Sequence, residues 1–178
     1  MRVVALLRGV NLGKHKKVNM ADLRAALTED GLTDVATYLQ SGNALFATEE
    51  ADRDTLRSRV EKVIEGRFGF HVPVMTRTAE EMETVVAANP YAPQAEADPT
   101  HVHAMFLSTM PPAEVWSRIE PERVVPDEFT VGDDVVYMHL PDGMGRARLP
   151  VAIDKAKLGV VVTTRNWRTV TALLDLVT

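Results

Sequence analysis

The chain has 178 residues, of which 46% are hydrophobic, a formal charge of −5 and no cysteine. That length suits one domain or two small packed halves, with a core large enough to need no metal or disulfide, and the missing cysteine excludes disulfide frameworks, thiolate zinc sites and cysteine nucleophiles. The apolar run at residues 3–7 lies between Arg2 and Arg8 and is too short for a secretory core, and no 18-residue apolar stretch exists, so a soluble cytoplasmic protein with no membrane association is expected.

Residues 2–7 (RVVALL) read as a short β-rich strand. Asn19 then has the character of a helix N-cap, with Met20, Leu23 and Leu27 on one helical face and Gly31 as the stop. The alternation in DVATYLQS, a Ser41-Gly42 turn and NALFAT predict a hairpin. Leu56, Val60, Val63 and Ile64 restore helical spacing from Asp52 to about Phe68, and VPVMTRT is again strand-like. The order β-α-β-β-α-β is that of a ferredoxin-like unit.

A helix over 79–89 and a linker carrying Pro90, Pro93 and Pro99 separate this half from a second one. There, HVHAMFLS predicts a strand, Pro111-Pro112 open a helix to about Ile119, and DEFTV with DVVYMHL forms a hairpin around residues 132–134. Residues 150–158 read as a helix, GVVVT as the last strand, and Trp167, Val170, Leu174 and Val177 mark one stripe of a closing helix. The expected architecture is α+β: two ferredoxin-like (βαββαβ) repeats, residues 1–78 and 100–178, joined by a helix and Pro-rich linker at 79–99.

The motifs RGVNLG, KVNM, YLQSGNALF and TTRNW occur in this order over nearly the whole chain, which on them resembles the bacterial family of unknown function DUF1697. The resemblance implies an α+β fold of two ferredoxin-like repeats and brings no activity, cofactor or catalytic residue. The family pattern has a Ser-Lys-Leu-like stretch where this chain has Arg146-Ala147-Arg148-Leu149.

Charge is segregated. The first twenty residues carry Arg2, Arg8, Lys14, Lys16 and Lys17 with no acid, and residues 143–168 carry six basic groups against Asp154. Such concentration is an anion-binding footprint, although a pI near 5.5 argues against a general nucleic-acid coat protein. The Gly9–Gly13 loop is not a phosphate-binding P-loop: only three residues separate its glycines, and His15 stands where a magnesium-holding hydroxyl would. Its backbone N–H groups still suit an anion nest, with Arg8 at the junction of strand and loop. Ser41, Gly42 and Asn43 combine turn chemistry with a hydroxyl and an amide, but no glycine stands two before Ser41 as a nucleophile elbow requires. Arg165 and Asn166 are expected at the positive end of the last helix, where an anion would join them.

His101, His103 and Asp98 lack an evident further metal ligand, so no metal is expected. An RNA-recognition reading fails for want of stacking aromatics, since the first strand has none and the third only Phe46. The leading expectation is a binder of an anionic small molecule, a nucleotide or phosphorylated metabolite, in a cleft between the halves formed by Arg8, Asn11, Lys14, Ser41 and Asn43 with Arg165 and Asn166. The alternatives are an enzyme acting on such a ligand there, and a protein–protein adaptor whose motifs are structural. Substrate, cofactor, oligomeric state and pathway are not encoded in any motif.

Overall fold

The computed structural model describes residues 1–178. The chain divides into two compact units, residues 1–84 with 172–178, and residues 85–171. No helix is long and apolar enough to cross a membrane.

In the first unit the elements are β1 (Arg2–Leu7), α1 (Met20–Glu29), β2 (Thr33–Tyr38), β3 (Asn43–Ala47), α2 (Arg53–Phe68) and β4 (Val74–Thr78). The strands form one antiparallel sheet in the order β2-β3-β1-β4. Helix α1 starts where expected, because the Asn19 side chain accepts from the backbone N–H groups of Ala21 and Asp22 at 2.9 and 3.1 Å. Helix α2 is capped by Asp52, which accepts from Thr55 N at 2.7 Å, and ends at Gly69 in the left-handed conformation (φ 79°). One face of the sheet, with Val3, Ala5, Leu7, Phe46 and Val74, packs against Leu23, Leu27, Leu56, Val60 and Ile64 of the two helices. The other face, carrying Val4, Leu6, Leu45, Met75 and Arg77, is buried as well. A strand buried on both faces cannot show the polar alternation of a half-exposed one, which is why β1 reads as an unbroken apolar run.

Residues 172–178 group with residues 1–84 rather than with the half assigned to them by chain order. The Arg2 guanidinium holds them, donating to Val177 O at 3.2 Å and Leu176 O at 3.0 Å.

The chain continues through α3 (Ala79–Ala87) and α4 (Ala92–Ala97), so the Pro-rich linker contains a short helix, Pro93 serving in its first turn where no N–H donor is needed. The second unit then contains β5 (Val102–Leu107), α5 (Ala113–Trp116), α6 (Pro121–Val124), β6 (Glu128–Val131), β7 (Val135–His139), α7 (Leu149–Ala156) and β8 (Val162–Asn166), with α8 (Trp167–Val177) last. Its sheet has the order β6-β7-β5-β8. The helix expected from Pro111 to about Ile119 is the single turn α5, and a separate turn, α6, opens beyond it at Pro121. Met105, Leu107, Val136 and Met138 pack with Leu149, Ile153 and Ala156 of α7. Trp167 is buried, as expected, with its ring centroid 6.3 Å from that of Tyr137. Tyr137 is anchored in turn, its hydroxyl donating to Val85 O at 2.9 Å.

His103 sits near the start of β5, opposite Met138 and Asn166, and is 6% exposed. Burial pushes its imidazole down to about 4 from an ordinary 6.5. Folded and unfolded chains therefore bind the same number of protons at this residue above pH 6.5. Between 6.5 and 4 only the unfolded chain takes one up, so stability falls as pH falls through that window. The shift corresponds to about 3 kcal/mol at most. Urea denaturation at pH 7 and pH 4 should show wild type losing more stability than His103→Gln by that order, and parallel losses in the two proteins would contradict a buried neutral His103.

Candidate functional site

Arg8, Asn11, Lys14, Ser41 and Asn43 gather at one end of the first unit's sheet, where β1 runs out and β3 begins. The end of β1 is gripped from both sides: Leu7 N donates to Gly42 O at 2.8 Å and Arg8 N to Pro73 O at 2.9 Å. Gly42 is required here by conformation and by space. Its φ is +87°, and a Cβ added to it would lie 2.5 Å from Val10 Cγ2 and 2.8 Å from Leu7 Cβ.

Asn11 organises the loop that follows. Its φ of 56° is left-handed, a conformation that asparagine tolerates better than most residues. Its Nδ2 donates to Val18 O at 3.0 Å and to Gln40 O at 2.7 Å, and its Oδ1 accepts from Val18 N at 2.9 Å. Its backbone N–H donates to Lys16 O at 3.1 Å. One side chain thus closes the loop on itself and ties it to the β2–β3 turn. Lys16 Nζ adds a contact to His71 O at 3.1 Å.

Asn11 is among the residues expected at the ligand, and its side-chain amide bonds backbone groups. The same holds for Asn43, which is fully buried and donates through Nδ2 to Tyr38 O at 2.7 Å and to Ser41 Oγ at 3.2 Å. Ser41 is exposed. Arg8, Lys14, His15 and Lys17 are exposed too, and their side chains enter no ion pair or hydrogen bond within the chain. The first carboxylate in the sequence is Asp22. On the same two connections Leu12 and Leu39 are 72% and 52% exposed.

Arg165 and Asn166 lie in the second unit and correct the expectation about the last helix. Strand β8 runs on through Asn166, so Arg165 is a strand residue paired with Ala104, not a helix-end cation. It is 8% exposed, and its Nη1 donates to Thr163 Oγ1 at 2.8 Å and Thr164 O at 2.9 Å. Burial pushes the guanidinium down to about 10, which leaves it charged at neutral pH. Asn166 is the cap of α8, its Oδ1 accepting from Thr169 N at 3.0 Å.

The sequence reading passed over Arg77, the counterpart of Arg165 in the first unit. Arg77 faces Val4 in β4, is 2% exposed, and donates from Nη1 to Thr76 O at 2.8 Å. Thr78 then caps α3 in a reciprocal pair, accepting from Glu81 N at 3.2 Å while Thr78 N donates to Glu81 Oε2 at 2.8 Å. The available signal was the tripeptide Thr76-Arg77-Thr78 set against Thr164-Arg165-Asn166, each directly ahead of a helix. His101 Nδ1 stands 3.4 Å from Asp98 Oδ2, and no group of three or more histidines and carboxylates converges in the structure.

The chain belongs to the DUF1697 family, described as proteins of unknown function, whose sequence profile matches residues 1–137. No curated protein matches it. Among solved structures it is similar to a conserved bacterial protein from Streptococcus pneumoniae, with a TM-score of 0.80 at 20% identity over 99% of this chain and 98% of that one. At that identity the likeness establishes a shared fold.

The clamp sets a prediction. Asn11→Ala removes three side-chain hydrogen bonds and leaves alanine in a left-handed conformation, and should cost about 2–3 kcal/mol in chemical denaturation. Lys14→Ala, on the same loop, should stay within about 0.5 kcal/mol. Equal effects would show that the loop does not depend on Asn11.

Proposed function

We propose that this member of the DUF1697 family binds an anionic small molecule, a nucleotide or phosphorylated metabolite, at the loop end of the first unit. The observation that carries the reading is the pairing of charge with a fixed backbone. Arg8, Lys14 and Lys17 are exposed and uncompensated by internal ion pairs, on a loop that Asn11 holds by four hydrogen bonds. A loop already ordered before binding does not spend interaction energy on its own ordering. A guanidinium at the strand end can grip phosphate through two parallel N–H donors, and the lysines add point charges. Leu12 and Leu39 offer an apolar surface beside the cations, which suits a nucleobase attached to the phosphates.

On this reading the ligand set expected from sequence contracts to Arg8, Lys14 and Ser41, with Lys17 added. Asn11, Asn43 and Asn166 support the backbone, and Arg165 serves the fold of the second unit. We further infer that the two units are ferredoxin-like repeats. The inference is supported by their matching strand orders and by the matched placement of Arg77 opposite Val4 and Arg165 opposite Ala104.

Titration calorimetry with ATP and inorganic pyrophosphate tests the reading. Wild type should bind at least one of them, and Arg8→Gln/Lys14→Gln should weaken that binding by about 1.5–3 kcal/mol, the scale of charge-assisted hydrogen bonds. The affinity should fall as salt is raised. Absence of binding by wild type, or the same affinity in the variant, would overturn it.

A further inference from the structure

A concave feature lies wholly within the second unit and involves none of the loop residues. Helices α6 and α7, with the segments that lead into them (residues 118–120 and 147–148), line an open groove of about 470 Å³, a size in the range of small-molecule sites. Its floor is apolar, with Ile119, Val124, Ala147, Val151, Ala152 and Ala156. Its rim is cationic: Arg118, Arg123, Arg148 and Lys155 against the single carboxylate of Glu120.

The four cations differ in what already occupies them. Arg123 Nε is 2.6 Å from Glu120 Oε2, so that charge is compensated. Arg118 donates to Ala156 O at 2.9 Å at the end of α7 and meets no carboxylate. Arg148 and Lys155 are exposed, and their side chains make no hydrogen bond or ion pair within the chain.

Position along α7 gives the groove its polarity. Residues 148, 151, 152 and 155 all line it, and this is the i, i+3, i+4, i+7 stripe of one helical face. The stripe reads Arg-Val-Ala-Lys, a cation at each end of an apolar middle, over an axial distance of roughly 10 Å. Val151 in that middle is 54% exposed. The helix is fixed at both ends. Asp127, 4% exposed, accepts the N–H groups of Arg148 at 2.6 Å and Leu149 at 2.8 Å, and Arg118 holds the final carbonyl. The stripe sets an apolar residue in water between two cations whose side chains have no partner in the chain. One molecule with both an anionic group and an apolar body complements both features.

We propose that this groove is a binding site for an amphipathic organic anion, an apolar chain or ring bearing a carboxylate or similar group. The anionic group pairs with Arg148 or Lys155 at the rim, and the apolar body covers Val151 and Ala152. The site differs from that of a simple phosphate in needing both parts of its ligand.

Titration calorimetry with decanoate, below the concentration at which it forms micelles, tests the proposal, with 1-decanol and inorganic phosphate as half-ligands. Decanoate should bind wild type at least tenfold more tightly than 1-decanol binds wild type, and than inorganic phosphate binds Arg8→Gln/Lys14→Gln, in which the loop site is removed. Arg148→Gln/Lys155→Gln changes only exposed groups and should weaken decanoate at least tenfold. Val151→Glu, with folding checked by circular dichroism, should abolish binding by placing a carboxylate in the apolar middle. Arg8→Gln/Lys14→Gln should leave decanoate within twofold of wild type, which separates this site from the loop site. Equal binding of decanol would remove the cations from the account, equal binding of phosphate would remove the apolar floor, and an unchanged affinity in Arg148→Gln/Lys155→Gln or in folded Val151→Glu would overturn the site.

Discussion

Each unit is built on a central strand that water does not reach from either face. Val3 through Leu7 in one, and Val102 through Leu107 in the other, are buried, His103 included. A strand so placed must satisfy its backbone entirely through its two neighbours, and both strands do, each pairing antiparallel on both sides. Polar side chains inside turn to partners close by, although Nδ1 of the neutral His103 has none. Arg165 reaches Thr163 and the carbonyl before it, and Arg77 likewise reaches the carbonyl of Thr76. Exposed cations are displaced to where the strands end, as Arg8 is.

That displacement explains why the conspicuous polar motifs fall at strand ends and why they divide into two kinds. Asn11, Asn43, Thr78 and Asn166 close turns or cap helices, each spending its side chain on backbone groups close by. Gly42 belongs with them, since the contact of its backbone with Val10 and Leu7 leaves no room for a Cβ. The cations of the β1–α1 loop are the other kind. They do nothing for the fold apart from the contact of Lys16 with His71, and the loop that bears them has its shape fixed by neighbours rather than by them.

Much of this organisation was legible in the residues. Asn19, spaced ahead of Met20, Leu23 and Leu27, placed α1, and the Ser41-Gly42 corner placed the first hairpin. The strand expected to end at Thr163 runs on to Asn166, a stretch that lacks apolar alternation. Its β-branched threonines nevertheless suit a strand, and its inward positions are filled by Thr163 and a buried Arg165, which a hydropathy pattern counts as surface. The same pattern places Arg165 at the helix end, whereas it lies within β8. The helix expected from Pro111-Pro112 to about Ile119 stops at Trp116, and Pro121 starts a separate turn. The groove beside α7 escaped notice because its cations come from segments thirty residues apart, Arg118 and Arg123 on one side and Arg148 and Lys155 on the other. Only packing brings them together.

The central claim is that the shape imposed by Asn11, rather than the number of positive charges, makes the β1–α1 loop an anion site. Amide chemical-shift mapping during a pyrophosphate titration of wild type and Asn11→Ala tests it most directly, since the variant keeps every cation. The account predicts saturable shifts in wild type confined to residues 8–17 and 39–42, and weak, non-saturating shifts in the variant. Saturable shifts of the same size and affinity in both proteins would contradict it, leaving charge alone as the cause of binding.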